Sequence, residues 1–272
     1  MTFIQRLPDH RNIFGPLLML ALLLSVMASA ALPTSAKDDE KYHLYKSRTD
    51  VTAYVEQTLA TAKANNKKAL FVIGANWCHD SRSMAEKLSS KEMQPILNDH
   101  YELAYISVGY FDEGLDVSTK FGLHTIYGTP TVMIIDPDTQ TLLNKRTVHK
   151  WRNADRIDLE EAVAYFKDHA DKKAAAPMQL TPAQRKATAQ LVEFEKTQGL
   201  RLRKAYQHLG PQLKAYKEGN KSDSFDTDWT LVAKFRSQLT SDMRLLGHYI
   251  KTHPQANTIA IPAYDSFPWE EK

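Results

Sequence analysis

The feature that most constrains this chain is an apolar run that ends in a lone cysteine. Ala69-Leu70-Phe71-Val72-Ile73 has the length and the β-branched and aromatic content of a buried strand, and Met84, Ala85 and Leu88 beyond it keep helical spacing. Between them stands Ala75-Asn76-Trp77-Cys78-His79-Asp80-Ser81, so the only cysteine in 272 residues falls where strand gives way to helix. A helix start presents unpaired N–H groups and the positive end of a dipole, and both favour thiolate over thiol. Cys78 is therefore a candidate nucleophile. The competing reading is a structural thiol, since free cysteines are among the most buried residues.

One cysteine excludes an intrachain disulfide, and its position excludes lipoprotein processing, because no cysteine follows the N-terminal apolar run. A net charge of +3 gives no argument for nucleic acid, and neither aromatic-basic interleaving nor a glycine-rich phosphate loop is present. Cys78, His79 and His124 lack the spacing of a metal set, so no metal is expected.

Residues 1–36 read as an export signal. Arg6 and Arg11 precede an apolar run from Pro16 to Leu32, with cleavage after Ala30 or Ala36. A retained membrane anchor is the alternative, because that run approaches spanning length. Either way the expected location is periplasmic or otherwise extracytoplasmic, where a free cysteine meets an oxidising environment.

The pattern then predicts a helix over 49–65, the strand 69–73, a helix from Cys78 to Leu88, and a short helix over 91–98 capped by Ser90, with Pro95 a plausible kink. A strand over 101–108, a short helix over 116–121 ended by Gly122, a strand over 131–135, a return strand over 142–148 and an amphipathic helix over 154–169 follow. Helices alternating with strands, then a hairpin, imply a mixed sheet covered on both faces.

Residues 171–178 read as a linker between a domain over 37–170 and a helical extension over 179–272. In the extension Leu191, Phe194, Leu202, Tyr206, Leu209 and Leu213 follow one helix face, which Gly199 would interrupt. Trp229, Val232, Phe235, Leu239, Met243, Leu246 and Ile250 follow another. A helical hairpin with a loop over 218–228 and an extended tail over 259–269 results. Residues 171–272 carry 16 Lys+Arg against 11 Asp+Glu, whereas 37–170 carry 17 against 20, an asymmetry that favours docking of the two units.

With Trp77-Cys78-x-x-Ser81 after one strand and Gly128-Thr129-Pro130 before another, residues 49–170 resemble the thioredoxin superfamily. The resemblance implies an α/β thioredoxin-like fold, a central mixed sheet flanked by helices, here with a C-terminal α-helical hairpin extension. It implies that Pro130 is cis beside Cys78, that Trp77 shields the site, and that Thr129 offers its backbone to an extended substrate. The chain departs from the family in three ways. Ser81 replaces the resolving cysteine, Val72 stands where the family carries a buried acid, and the variable dipeptide is His79-Asp80. A hydroxyl cannot attack a mixed disulfide, so dithiol cycling is excluded. An imidazolium at His79 would favour the Cys78 thiolate, whereas Asp80 would oppose it or pair with His79.

The function these residues imply is monothiol thiol–disulfide exchange through Cys78, of isomerase or deglutathionylation type. Cys78, Ser81 and His79 form the catalytic set, and Trp77, Thr129 and Pro130 bind substrate. The partners are thiols and disulfides of exported proteins, with glutathione or another small thiol as co-substrate and no other cofactor. No nucleic acid is expected, and a membrane tether only if the N-terminal segment is retained. The alternative is a non-catalytic partner-binding or scaffold module. A peroxide-reactive cysteine is disfavoured, since the threonine and arginine pattern of peroxiredoxins is missing.

Overall fold

The structure, a computed structural model, describes residues 43–174 and 178–270. The signal or anchor segment expected over 1–36 lies outside the described residues, and no described helix is long and apolar enough to cross a membrane. The elements run α1 (Val51–Ala64), β1 (Lys68–Gly74), α2 (His79–Leu88), α3 (Gln94–His100), β2 (Tyr101–Ser107), α4 (Asp116–Lys120), β3 (Thr131–Asp136), β4 (Thr141–Leu142), a 3-10 segment Lys150–Arg156, α5 (Leu159–Ala170), α6 (Pro182–Lys217) and α7 (Phe225–Thr252).

The sheet order is β2-β1-β3-β4, with β1 parallel to β2 and antiparallel to β3. β1 is central, and six of its seven residues are buried, as its continuous apolar composition requires. One core lies on each face. Leu70, Val72, Met84 and Leu88 share the first with Val132, Trp151 and Phe166. Phe71, Ile73 and Ile106 share the second with Phe111, Tyr206, Phe235 and Leu239 of the loop and hairpin.

Local chemistry sets most boundaries. Asp50 accepts from the Ala53 N–H and caps α1. Ser90 accepts from the Met93 N–H, and Pro95 sits in the first turn of α3, where its missing N–H costs little, so it starts that helix instead of kinking it. Two expectations are corrected. The return strand over 142–148 is cut to Thr141–Leu142, because the buried Asn144 side chain takes over the edge of β3. Its amide donates to Val132 O at 2.8 Å and accepts from the Ile134 N–H at 2.9 Å. The helix expected over 154–169 is two pieces, broken where Ile157 and Asp158 are extended, so the 3-10 segment and α5 point separately.

The hairpin shares the core of the thioredoxin-like part, and residues 37–272 form one unit. α6 is capped by a reciprocal Thr181–Gln184 box and runs unbroken through Gly199 and Pro211. Gly199 does not interrupt the helix. It is a contact point, since a Cβ there would sit 2.9 Å from His124 Cβ, and one at Gly210 would sit 2.3 Å from Tyr110 O. Eleven residues apart, the two lie on nearly the same face, three turns apart. The junction is chiefly aromatic: Phe111 stacks on Tyr206 at 4.4 Å and tilts against Trp229 at 6.5 Å. Opposite charge adds the pair Arg203–Asp116 at 2.7 Å. The extended tail is held to the hairpin by buried Ile259 and Phe267 and by Tyr264, whose hydroxyl donates to Asp242 at 2.8 Å.

Candidate functional site

β1 delivers the chain into a tight turn in which the Cys78 N–H bonds Ala75 O at 3.1 Å. Cys78 is the N-cap of α2, with extended backbone, and no side chain caps that helix start. Its thiol is half-buried. Opposite it the Thr129–Pro130 peptide is cis, as the family resemblance implies. The Thr129 hydroxyl donates to Cys78 Sγ at 3.1 Å, and Thr129 O lies 3.4 Å from the sulfur. The sulfur thus has a donor and an acceptor in Thr129, one for each protonation state.

Trp77 is fixed beside it. Its indole N–H donates to Gly109 O at 2.6 Å, and its ring stacks on Tyr110 and meets Phe111 edge-on. Gly109 has φ of +52°, and a Cβ there would lie 2.2 Å from Asp112 Oδ1, so only glycine fits under the tryptophan.

Ser81 is fully buried one turn below the cysteine, and its hydroxyl accepts from the Ala75 N–H at 3.3 Å. Behind it stands Tyr45, which sequence reasoning missed. The Tyr45 hydroxyl donates to Ser81 O at 3.1 Å, and its backbone exchanges two hydrogen bonds with the Asn76 amide. Burial, then the neighbouring Tyr105 and Cys78, push the phenol well above its usual range. Gly74 makes room for this layer, since a Cβ there would sit 2.6 Å from Ser81 Oγ and 2.7 Å from the Tyr45 ring. Val72 is buried opposite Val132, so no acid lies at this position beneath the turn.

His79 and Asp80 face the 3-10 segment. Asp80 accepts from the Asp155 N–H at 3.2 Å, and exposed His79 lies 3.8 Å from the Asp155 carboxylate. Burial first, then the hydrogen bond to the Asp155 carboxyl, raises the Asp80 carboxyl to about 6. Asp155 is held below the usual carboxylate range, chiefly by that same hydrogen bond. His79 pairs with Asp155, and Asp80 lies close by as well. Donor atoms of His79, Asp80 and Asp155 converge within 4.8 Å, and among the described residues this group, without Cys78 or His124, is where a metal would find three ligands. Of the three, Asp80 and Asp155 are already hydrogen-bonded to each other, and His79 is exposed.

The hairpin and the 3-10 segment both reach the loop before β3. Thr129 is 8% exposed and Pro130 is buried. The Gly128 Cα faces Arg152 and Arg236, whose side chains would lie 3.4 and 3.7 Å from a Cβ placed there. Arg152 Nη1 and the Tyr206 hydroxyl are buried without a hydrogen-bond partner, and burial and Arg236 together lower the Arg152 pKa. Neither arginine carried a signal in the sequence, because nothing local distinguishes it from a surface cation.

A Cys-x-x-Ser turn ending the central strand, faced by a cis Thr-Pro loop, defines a thioredoxin-like domain. The thioredoxin-like family model matches residues 50–137, the stretch from α1 through β3. The chain is also similar to a solved disulphide isomerase from Xylella fastidiosa Temecula1, at 28% identity and a TM-score of 0.41, covering 46% of this chain and 94% of that one. A comparison with curated proteins finds no match.

Proposed function

We propose that this protein performs monothiol thiol–disulfide exchange outside the cytoplasm, with Cys78 as the attacking group. The observation that carries the reading is the Cys78–Thr129 contact: a half-buried sulfur at an uncapped helix start, held at 3.1 Å by a threonine hydroxyl, above a serine that cannot resolve a disulfide. The Cys78 thiolate attacks one sulfur of a substrate disulfide. The bond from Cys78 forms as the substrate S–S bond breaks, and the second substrate sulfur leaves as thiolate. A second thiol, from the substrate or from a small thiol such as glutathione, attacks the mixed disulfide and frees Cys78 as thiolate. The protein's own oxidation state is unchanged over the cycle. Trp77 walls the site, and Ser81 packs beneath it without entering the exchange.

The test compares wild type with Cys78→Ala on a scrambled disulfide substrate with added small thiol. Wild type is expected to rearrange it and the variant to fall to background. Equal rates would remove the catalytic reading. In Ser81→Cys, an internal disulfide should form under mild oxidant, converting the site to dithiol behaviour. Export is tested by cell fractionation, with the protein expected outside the cytoplasmic fraction.

One observation favours a second reading, a partner-binding module. The Thr129–Pro130 loop that would pair with an extended substrate is buried, and Arg152 and Arg236 stand against the adjoining Gly128. On that reading the species recovered on Cys78 from native material is a single, stable partner protein, not a mixture of substrates.

A further inference from the structure

The exchange chemistry leaves one concave surface unused. A groove of about 580 Å³ lies between α6, α7 and the segment from Leu123 to His149, within the size range of small-molecule sites. Its floor is apolar, formed by Leu123, Tyr127, Val148, Leu191 and Met243. Tyr127 is fixed there, its hydroxyl donating to Glu195 at 3.2 Å.

The rim is basic. Lys145 and Arg146 stand on one side and Arg244 and Lys251 on α7, and none of the four makes an ion pair among the described residues. Glu195 is the one acid lining the groove, and Tyr127 already engages it. His149 and His248 also line it, and His149 is pushed below its usual pKa by burial, then by Arg152 and Arg244. On α7, Arg244 and Lys251 are seven residues apart and so share a face, with Gly247 between them. A Cβ at Gly247 would meet only Leu191 Cδ2, at 3.9 Å, so the glycine keeps the floor open.

We propose that this groove binds an organic anion with an apolar body, its carboxylate, phosphate or sulfonate head held by the rim cations and its body laid on the Tyr127–Met243 floor. Charge complementarity selects the anion, the floor selects the apolar body, and the volume selects a small molecule over a protein segment. The proposal does not depend on the exchange chemistry of Cys78.

The test is a titration of the full chain with 8-anilinonaphthalene-1-sulfonate, followed by blue-shifted fluorescence. One saturable site is expected. Octanoate and octyl phosphate should displace the dye, and the more effective of the two identifies the preferred head group. Acetate, inorganic phosphate and octyltrimethylammonium should not displace it. Arg244→Glu, at an exposed position, should weaken binding about tenfold, and Gly247→Leu should abolish it while thermal unfolding shows the protein folded. Cys78→Ala should bind as wild type does. Wild-type affinity in Arg244→Glu overturns the proposal, and so does displacement by octyltrimethylammonium as effective as that by octanoate. Displacement by an acidic peptide but not by octanoate also overturns it, in favour of a protein-docking surface. If Gly247→Leu fails to fold, Arg244→Glu and the competitor series decide.

Discussion

The same two helices meet the thioredoxin-like domain in opposite ways. At the Trp77 end the junction is closed: Phe111 stacks on Tyr206, Gly210 lets α6 approach the Tyr110 carbonyl, and Trp77 and Trp229 seal the edges. At the Tyr127 end it is open, with a basic rim over an apolar floor and a glycine that touches almost nothing. A glycine in a helix carries no meaning by itself. At Gly210 its missing Cβ is an approach distance, and at Gly247 it is empty space.

The largest expected difference between the two ends comes from Phe111→Ala. It removes a ring that is 1% exposed and touches Trp77, Tyr206 and Trp229. Urea unfolding should show a loss of about 3–5 kcal/mol, whereas Leu191→Ala on the groove floor should lose less than about 2 kcal/mol, because the site is partly open and buries less. A loss at Leu191 equal to that at Phe111 would mean that the groove is closed in solution. Next comes Gly210→Ala, which forces a Cβ toward a backbone oxygen and should destabilise by about 1–3 kcal/mol despite alanine's better helix propensity.

A smaller, pH-dependent effect belongs to Asp80. Its carboxyl is raised to about 6 in the folded protein, so folding holds a proton that the unfolded chain releases near 4. Stability associated with this group is complete at low pH and is lost as pH rises through about 6. Asp80→Asn keeps the neutral form at all pH values. It should therefore match wild type near pH 4 and exceed it at pH 7–8 by about 1 kcal/mol, the exposure of the site having screened the rest. Thermal melts across that range check both sign and window, and a variant less stable than wild type at pH 8 refutes the shared-proton pair. The smallest effect is Gly247→Ala, expected to gain about 0.5–1 kcal/mol by helix propensity alone. Together the two alanine variants test the comparison by opposite signs.

What the sequence reveals divides along the range of the interactions. β1, the Cys78 turn and the buried α2 face were legible because an apolar run and a helical period each depend on neighbours a few residues away. The Thr129–Pro130 loop was legible through a family motif. The return strand was overestimated because Asn144 replaces ladder bonds with side-chain bonds, which no periodicity records. Tyr45, Asp155, Arg152 and Arg236 escaped notice because each reaches its neighbour across a long stretch of chain and none sits in a pattern. Gly199 was misjudged for the same reason: the contact with His124 that makes it useful lies in another part of the molecule.

By itself, then, the sequence determined a lone cysteine at a helix start, the absence of a second thiol, the α/β core and the paired helices, all consequences of composition and short-range order. The tertiary structure decided how the parts meet: Arg236 of the hairpin and Arg152 of the 3-10 segment stand against Gly128, His79 and Asp80 face Asp155 of that same segment, and the hairpin leaves a basic groove beside Tyr127. The physical reason is that packing distance and local field belong to pairs of residues far apart in the chain, and only the folded arrangement brings those pairs together.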